Sequence, residues 1–245
     1  MNPSPVVLVT GGARRVGHAI VRHLHAAGCT MAIHYRRSAD EANALARELN
    51  GTRTGSAATF AAALENDDAL PALVSGVLDT FGRLDGLVNN ASSFYPTPIG
   101  TATAAQWDDL FATNARAPFF LAQAAAPALK ASKGAIVNLV DIYAERPLAQ
   151  HPLYSMAKAA LWMLTQALAR DLAPEVRVNA VAPGAILWPE SGKSEEAAEV
   201  LIAKTPLARK GEPADVAEAV RWLLLDATYT TAQVIRVDGG RTVTI

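Results

Sequence analysis

Between Pro5 and Ala27 the chain runs from an apolar stretch, PVVLV, through TGGARRVG (Thr10–Gly17) into a segment with helical apolar spacing. A strand, a tight glycine turn and a helix in immediate succession leave few folds open. The turn presents backbone N–H groups and a helix N-terminus, the arrangement that cradles a phosphate. Ordinary βα turns carry similar glycines, so the loop alone constrains the fold more than the ligand. Its oddity is Arg14–Arg15, two bulky cations where small residues are usual.

The same alternation continues along the chain. Apolar β-type runs occur at Val6–Val9, Met31–Tyr35, Leu84–Asn89, Ala135–Val140, Val176–Ala182 and Val234–Val237, with a weaker one near Ser56–Phe60. Helical segments separate them at Gly17–Ala27, Asp40–Leu49, Asp67–Phe81, Ala104–Lys130, Tyr154–Leu172 and Pro213–Asp226. The strands are apolar almost throughout, as in a sheet covered on both faces. Such repetition predicts an α/β fold, a doubly wound parallel sheet of Rossmann type. With 245 residues, 51% hydrophobic and 18% charged, and no linker or repeat, residues 1–245 are expected to form one domain. The exception to the rhythm is Gly184–Pro213, which is long for a strand-to-helix connection and is expected to be a lid over a site.

A net charge of −1 offers no basic surface for nucleic acid. No apolar run reaches membrane-spanning length, and MNPSPVVLVT lacks the marks of a leader, so a cytoplasmic protein is expected. The single cysteine, Cys29, excludes an internal disulfide, and the five histidines show no metal-binding spacing, so no metal is expected.

After the second strand, an acidic residue would hold the ribose hydroxyls of NAD. This chain carries His34, Tyr35, Arg36, Arg37 and Ser38 there. Guanidinium and hydroxyl groups bind a 2′-phosphate that a carboxylate would repel, so NADPH is expected. A solvated basic turn, with Ser38 and Glu41 capping the next helix, is the plainer alternative. Further on, YSMAK sets Tyr154 and Lys158 four apart on one helix face, where an ammonium favours the phenolate and suits the pair to proton transfer. NNA (Asn89–Ala91) and VAPG (Val181–Gly184) end strands, where an open α/β sheet has its crevice; Asn114, in TNARAP, lies in a helix.

Taken with the glycine loop, these segments resemble the short-chain dehydrogenase/reductase superfamily along the whole chain. There are two departures. Arg15 occupies the middle glycine of the TGxxxGxG pattern, and Asp141, thirteen residues before Tyr154, stands where a serine is normal. A carboxylate accepts N–H donors or passes on a proton, which points to a nitrogen heterocycle; a local turn cap is the plainer reading of Asp141. Both departures, together with HYRRSADEA and NNASSFYPTPI, are similar to the pteridine reductases, with dihydromonapterin reductases as a neighbouring group.

The resemblance implies NADPH-dependent reduction of a pterin C=N bond. The cofactor would contact Gly11, Arg14, Arg15, Val16 and Gly17, then His34 to Ser38, the backbone near Ala63 and Leu64, then Asn90, Ala91, Ser92, Pro183 and Gly184. Ala63 stands where family members carry an acid. Phe94 would stack on the pterin, Arg15 and Ser92 would touch it, and Leu187, Trp188 and Pro189 would wall its pocket. Asp141 and Tyr154 would supply protons, Lys158 would hold the nicotinamide ribose, and Asn114 would organise a water relay. A homotetramer is implied. His18, His23, His25 and His151 are taken as structural or surface groups. The alternatives are a carbonyl reductase of the same fold, acting on an oxoacyl thioester or other ketone, and a non-catalytic NADPH-sensing protein.

Overall fold

The computed structural model describes residues 4–186 and 195–244. Seven strands form one sheet: β1 (Val6–Val9), β2 (Thr30–Tyr35), β3 (Ala57–Ala61), β4 (Gly86–Asn89), β5 (Ala135–Leu139), β6 (Arg177–Pro183) and β7 (Val234–Val237). Their order is β3-β2-β1-β4-β5-β6-β7 and every pairing is parallel. Among the described residues eight α-helices lie between the strands: α1 (Arg15–Ala26), α2 (Ala39–Thr52), α3 (Ala69–Phe81), α4 (Ala104–Phe111), α5 (Ala117–Ser132), α6 (Pro152–Asp171), α7 (Glu195–Ala203) and α8 (Pro213–Leu225).

The two-residue period of a strand explains why the sheet is apolar on both faces. Val7 and Val9 point to one side, where Ile20, Val21 and Leu24 of α1, Leu45 of α2 and Val216 and Val220 of α8 pack. Val6 and Leu8 point to the other, against Leu70 and Val74 of α3, Leu121 and Ala125 of α5 and Leu168 of α6. Cys29 is buried in the first layer, where burial pushes its thiol up to about 11. The chain order reverses between β1 and β4, and a sheet of this kind opens its crevice at the carboxyl ends of those strands.

The helix expected over Ala104–Lys130 is instead three pieces. Between α4 and α5 lies one π-helical turn, Ala112–Arg116, in which the Ala117 N–H reaches back to the Ala112 carbonyl. Pro118 is the physical reason: it has no N–H to offer the Asn114 carbonyl four residues earlier. Such single π turns concentrate at functional sites. The weak strand near Ser56–Phe60 forms one residue later, and β6 extends to Pro183. Within the Gly184–Pro213 connection the described part contains α7; Leu187, Trp188 and Pro189 lie outside the described residues. Among the described residues no helix is long and apolar enough to cross a membrane.

Candidate active site

A cleft of about 420 Å³ opens at the β1–β4 reversal. It is lined by the glycine loop from Gly11 to Gly17, by His34–Ser38 after β2, by Leu64 and Glu65 after β3, and by Asn90–Ser93 after β4. Helix α1 begins here with no side chain capping it and no acidic residue in its first turn, so its N-terminal N–H groups and positive dipole end face the cleft uncompensated.

The loop is held by long-range hydrogen bonds. The Asn90 amide donates to the carbonyls of Thr10 (2.8 Å) and Gly11 (3.2 Å). Thr10 Oγ1 in turn accepts from the N–H groups of Asn90 (2.9 Å) and Ala91 (3.0 Å). Buried His34 accepts the Gly11 N–H at Nδ1 (3.0 Å), and Nε2 lies 3.2 Å from the Ala62 carbonyl. That pattern requires the neutral Nε2–H tautomer, and burial favours the neutral ring by lowering its pKa. His34 is thus a strut for the loop as well as part of the cleft wall.

Arg15 departs from the glycine pattern in residue type but not in conformation. Its φ is +55°, in the left-handed region that glycine enters freely. The loop therefore keeps a glycine-like path while carrying a guanidinium, at a backbone cost of about 1 kcal/mol. Arg15→Gly is accordingly expected to leave thermal stability unchanged or to raise it slightly in a melting experiment, while weakening substrate turnover more than cofactor binding. Equal turnover by the variant and the parent would remove Arg15 from the site.

The basic group after β2 is partly engaged. Arg36 forms an ion pair with Glu65, and Arg14 lies 3.9 Å from Glu41. Glu65 is the acid at the outer end of the cleft; Ala63, expected to contact adenine through its backbone, is not among the lining residues. β3 ends at Ala61, and the turn that follows brings Leu64 and Glu65 to the cleft wall. Pro183 and Gly184 also lie outside this cleft. Gly184 is packed on Asp238, where an added Cβ would approach its Cα to 2.7 Å.

Beside the cleft, α6 and the end of β5 bring three titratable groups together. The Tyr154 hydroxyl donates to Asp141 Oδ2 at 2.8 Å. Asp141 Oδ1 accepts the Tyr143 N–H at 2.9 Å, so the carboxylate caps a 3-10 turn, Ile142–Ala144, and faces Tyr154 at once. Lys158 Nζ donates to the Leu139 carbonyl at 2.8 Å and lies 5.8 Å from the Tyr154 ring centre. Burial dominates all three titrations. It pushes Asp141 up, against the opposing Tyr143 N–H, Tyr154 hydroxyl and Lys158 charge. It pushes Lys158 down to about 8, with Asp141 opposing. Tyr154 is raised well above its ordinary value, first by burial and then by the Asp141 charge. This corrects the expected effect of the lysine. The phenol here is a proton donor rather than a phenolate, because a carboxylate rather than the ammonium is its hydrogen-bond partner.

Phe94, 44% exposed, stands edge-on to Tyr154 at 4.8 Å between ring centres. His151, expected to be a structural or surface group, stacks on Phe94 at 4.8 Å and 11°. Asn114 is fully buried; its Oδ1 accepts from Ser92 Oγ (2.7 Å), and its amide donates to the carbonyls of Ser93 (3.0 Å) and Leu110 (2.9 Å). Its side chain therefore fixes the Ser92–Ser93 loop. Among the described residues no group of three His, Cys, Asp or Glu is placed to hold a metal ion.

A family model described as enoyl-(acyl carrier protein) reductase matches residues 11–242. The chain belongs to the short-chain dehydrogenase/reductase family. Pteridine reductase 1 of Leishmania tarentolae is 38% identical to it, with 98% of this chain and 97% of the relative covered. The 3-oxoacyl-(acyl-carrier-protein) reductase FabG of Staphylococcus aureus strain Mu50 is 34% identical, with 98% and 99% covered. Membership makes this short-chain reductase an oxidoreductase of nicotinamide cofactors. Several lining residues had no clear signal in the sequence: Ala13, Ser93 and Glu65 reach the cleft from loops, and Thr113 from the π-helical turn. Thr10 was a visible candidate, since it opens the glycine motif.

Proposed function

We propose that the protein reduces the C=N bond of a dihydropterin with NADPH, giving the tetrahydro form. The observation that carries this reading is the exposed Phe94 ring set edge-on to Tyr154, whose hydroxyl is bonded to a buried carboxyl, Asp141, instead of a serine. One face of Phe94 is backed by His151, which leaves the other for a flat heterocycle. Bound NADPH supplies the hydride to the ring carbon. Tyr154 then delivers a proton to the adjacent ring nitrogen and is re-protonated from solvent, while the Asp141 carboxylate, whose pKa burial raises, accepts the Tyr154 hydroxyl and holds it in place. Lys158 would hold the nicotinamide ribose, and Ser92, positioned by Asn114, would orient the ring.

The cleft suits NADPH. The N-terminus of α1 would hold the pyrophosphate, and Arg36, Arg37 and Ser38, which line the cleft, would hold the 2′-phosphate. Arg37 makes no ion pair among the described residues, whereas Arg36 must share Glu65. Arg37→Ala is therefore expected to weaken NADPH binding about tenfold, the worth of one charge-assisted contact, and to leave NADH within twofold. Equal losses for both cofactors in fluorescence titration would mean that Arg37 does not read the 2′-phosphate.

The FabG relative gives the second reading weight, a ketone of an acyl thioester as substrate. NADPH oxidation measured in parallel with dihydrobiopterin, dihydromonapterin, dihydrofolate and an acetoacetyl thioester separates the two. Turnover of the thioester alone would overturn the pterin assignment. The protein is further proposed to act as a homotetramer, because Phe119 of α5 and Met156 and Met163 of α6 are 42%, 47% and 61% exposed. A monomer in sedimentation would refute this.

A further inference from the structure

Among the described residues that line the cofactor cleft, four are arginines and one, Glu65, is an acid. Neighbouring strand ends set Glu65 against Arg36. Tyr35, the last residue of β2, is in register with Ala61, the last residue of β3. The Ala62 N–H carries the ladder one step further, donating to the Tyr35 carbonyl at 3.1 Å. Arg36 therefore leaves the sheet beside the segment that turns into Glu65.

That turn is pinned from the other side. Arg116, in the π-helical turn, donates from Nη2 to the Glu65 carbonyl at 2.8 Å, and its Nε lies 3.2 Å from Asp67 Oδ1. The Asn66 N–H donates to the Ala63 carbonyl at 3.0 Å. With its backbone held in this way, Glu65 forms its ion pair with Arg36 in the cleft wall. The two side chains are 36% and 46% exposed. An ion pair this open is worth at most about fivefold in an equilibrium constant.

A phosphate dianion offers Arg36 more charge than a carboxylate and the same two-pronged geometry, so it can take the guanidinium away. The exchange leaves Glu65 without its cation and close to a second anion. A dinucleotide that lacks the 2′-phosphate makes no such demand and leaves the pair intact. We propose that Glu65 is a specificity-determining residue for the cofactor. It competes with the 2′-phosphate for Arg36, and so holds the preference for NADPH over NADH below the level that the arginines alone would set. The inference rests on the reading that the turn after β2 takes the 2′-phosphate.

The test compares Kd for NADPH and NADH, by fluorescence titration, in the parent, Glu65→Gln and Asp67→Asn. Glu65→Gln keeps the size of the side chain, removes its charge and leaves the Arg116 bond to the main-chain carbonyl in place. It is expected to bind NADPH about fivefold more tightly, with NADH within twofold. Asp67→Asn removes an acid from the same turn that does not line the cleft, and both affinities should stay within twofold. Adenosine 2′-phosphate and adenosine 5′-phosphate repeat the comparison on fragments, with the gain expected for the former alone. An unchanged NADPH Kd in Glu65→Gln overturns the proposal. So does a parallel change for both cofactors, which would make Glu65 a contact of the adenosine they share. An equal gain in Asp67→Asn overturns it too, since the effect would then be one of diffuse charge. The NADPH assignment is judged separately, by the preference of the parent. A parent that favours NADH, with Glu65→Gln still shifting the ratio fivefold towards NADPH, would refute that assignment and uphold the role of Glu65. A parent that favours NADPH, with the ratio unmoved in Glu65→Gln, would do the reverse.

Discussion

Tyr154→Phe is expected to lower NADPH-dependent turnover by about 10²–10⁴-fold, the usual worth of a positioned proton donor, while leaving cofactor affinity within twofold. The phenyl ring keeps the contact with Phe94 and loses only the hydroxyl that lies 2.8 Å from Asp141. Stopped-flow measurement of NADPH oxidation and a fluorescence titration check the two halves. The pH dependence has a definite sign. Catalysis needs Tyr154 protonated and Lys158 charged; burial puts the lysine at about 8, and the Asp141 charge holds it up against that burial. Activity should therefore fall as pH rises through about 8. Asp141→Asn removes the supporting charge, so the alkaline limb moves to lower pH as the maximum rate drops. A limb that stays in place in this variant would show that Asp141 and Lys158 are not coupled.

Gly17→Ala is the second large effect. A Cβ at residue 17 would lie 2.2 Å from the Gly11 carbonyl oxygen and 2.6 Å from the Asn90 amide nitrogen. Neither can yield cheaply. Gly11 is bound to His34, and the Asn90 amide ties the loop after β4 to Thr10 and Gly11. The methyl must push the turn off the start of α1, where the phosphate is to be held. Loss of detectable NADPH binding is expected, together with destabilisation of about 1–3 kcal/mol, the typical cost of overpacking. Gly51→Ala is the matching control: it lies within α2, its Cβ meets nothing within 4 Å, and it should be neutral or slightly stabilising in thermal melts. A Gly17→Ala protein that binds NADPH normally would refute the crowding argument.

Much of this was legible without coordinates. The unbroken apolar strands and the helices between them specified a sheet covered on both sides, because a strand's two faces alternate residue by residue and both had to be apolar. Tyr154 and Lys158 share a face because four residues make about one helical turn. The replacement of serine by Asp141 and of glycine by Arg15 singled out a subgroup of reductases before any geometry was known.

Other features lay beyond that reach. Residue type argues against a left-handed arginine, so the +55° φ of Arg15 is imposed by the loop's surroundings. The π turn at Asn114 follows from a proline two residues after Arg116, but its consequence, a side chain buried against Ser92 and Ser93, depends on how the helix meets the β4 loop. The expectation that Lys158 would lower the Tyr154 pKa was overturned because a residue's titration depends on what desolvates it.

The sequence by itself determined the strand–loop–helix unit at Thr10–Gly17, the parallel α/β architecture and the placing of Tyr154 and Lys158 on one helix face, all of them encoded in local periodicity and near neighbours. Only the tertiary structure decided that His34 braces Gly11, that Glu65 rather than residue 63 reaches the cleft, and that His151 backs Phe94. Each of these joins segments distant in the chain. Such contacts form only when the packed layers bring loops to the same end of the sheet, and no periodicity in the sequence records which side chains will then meet.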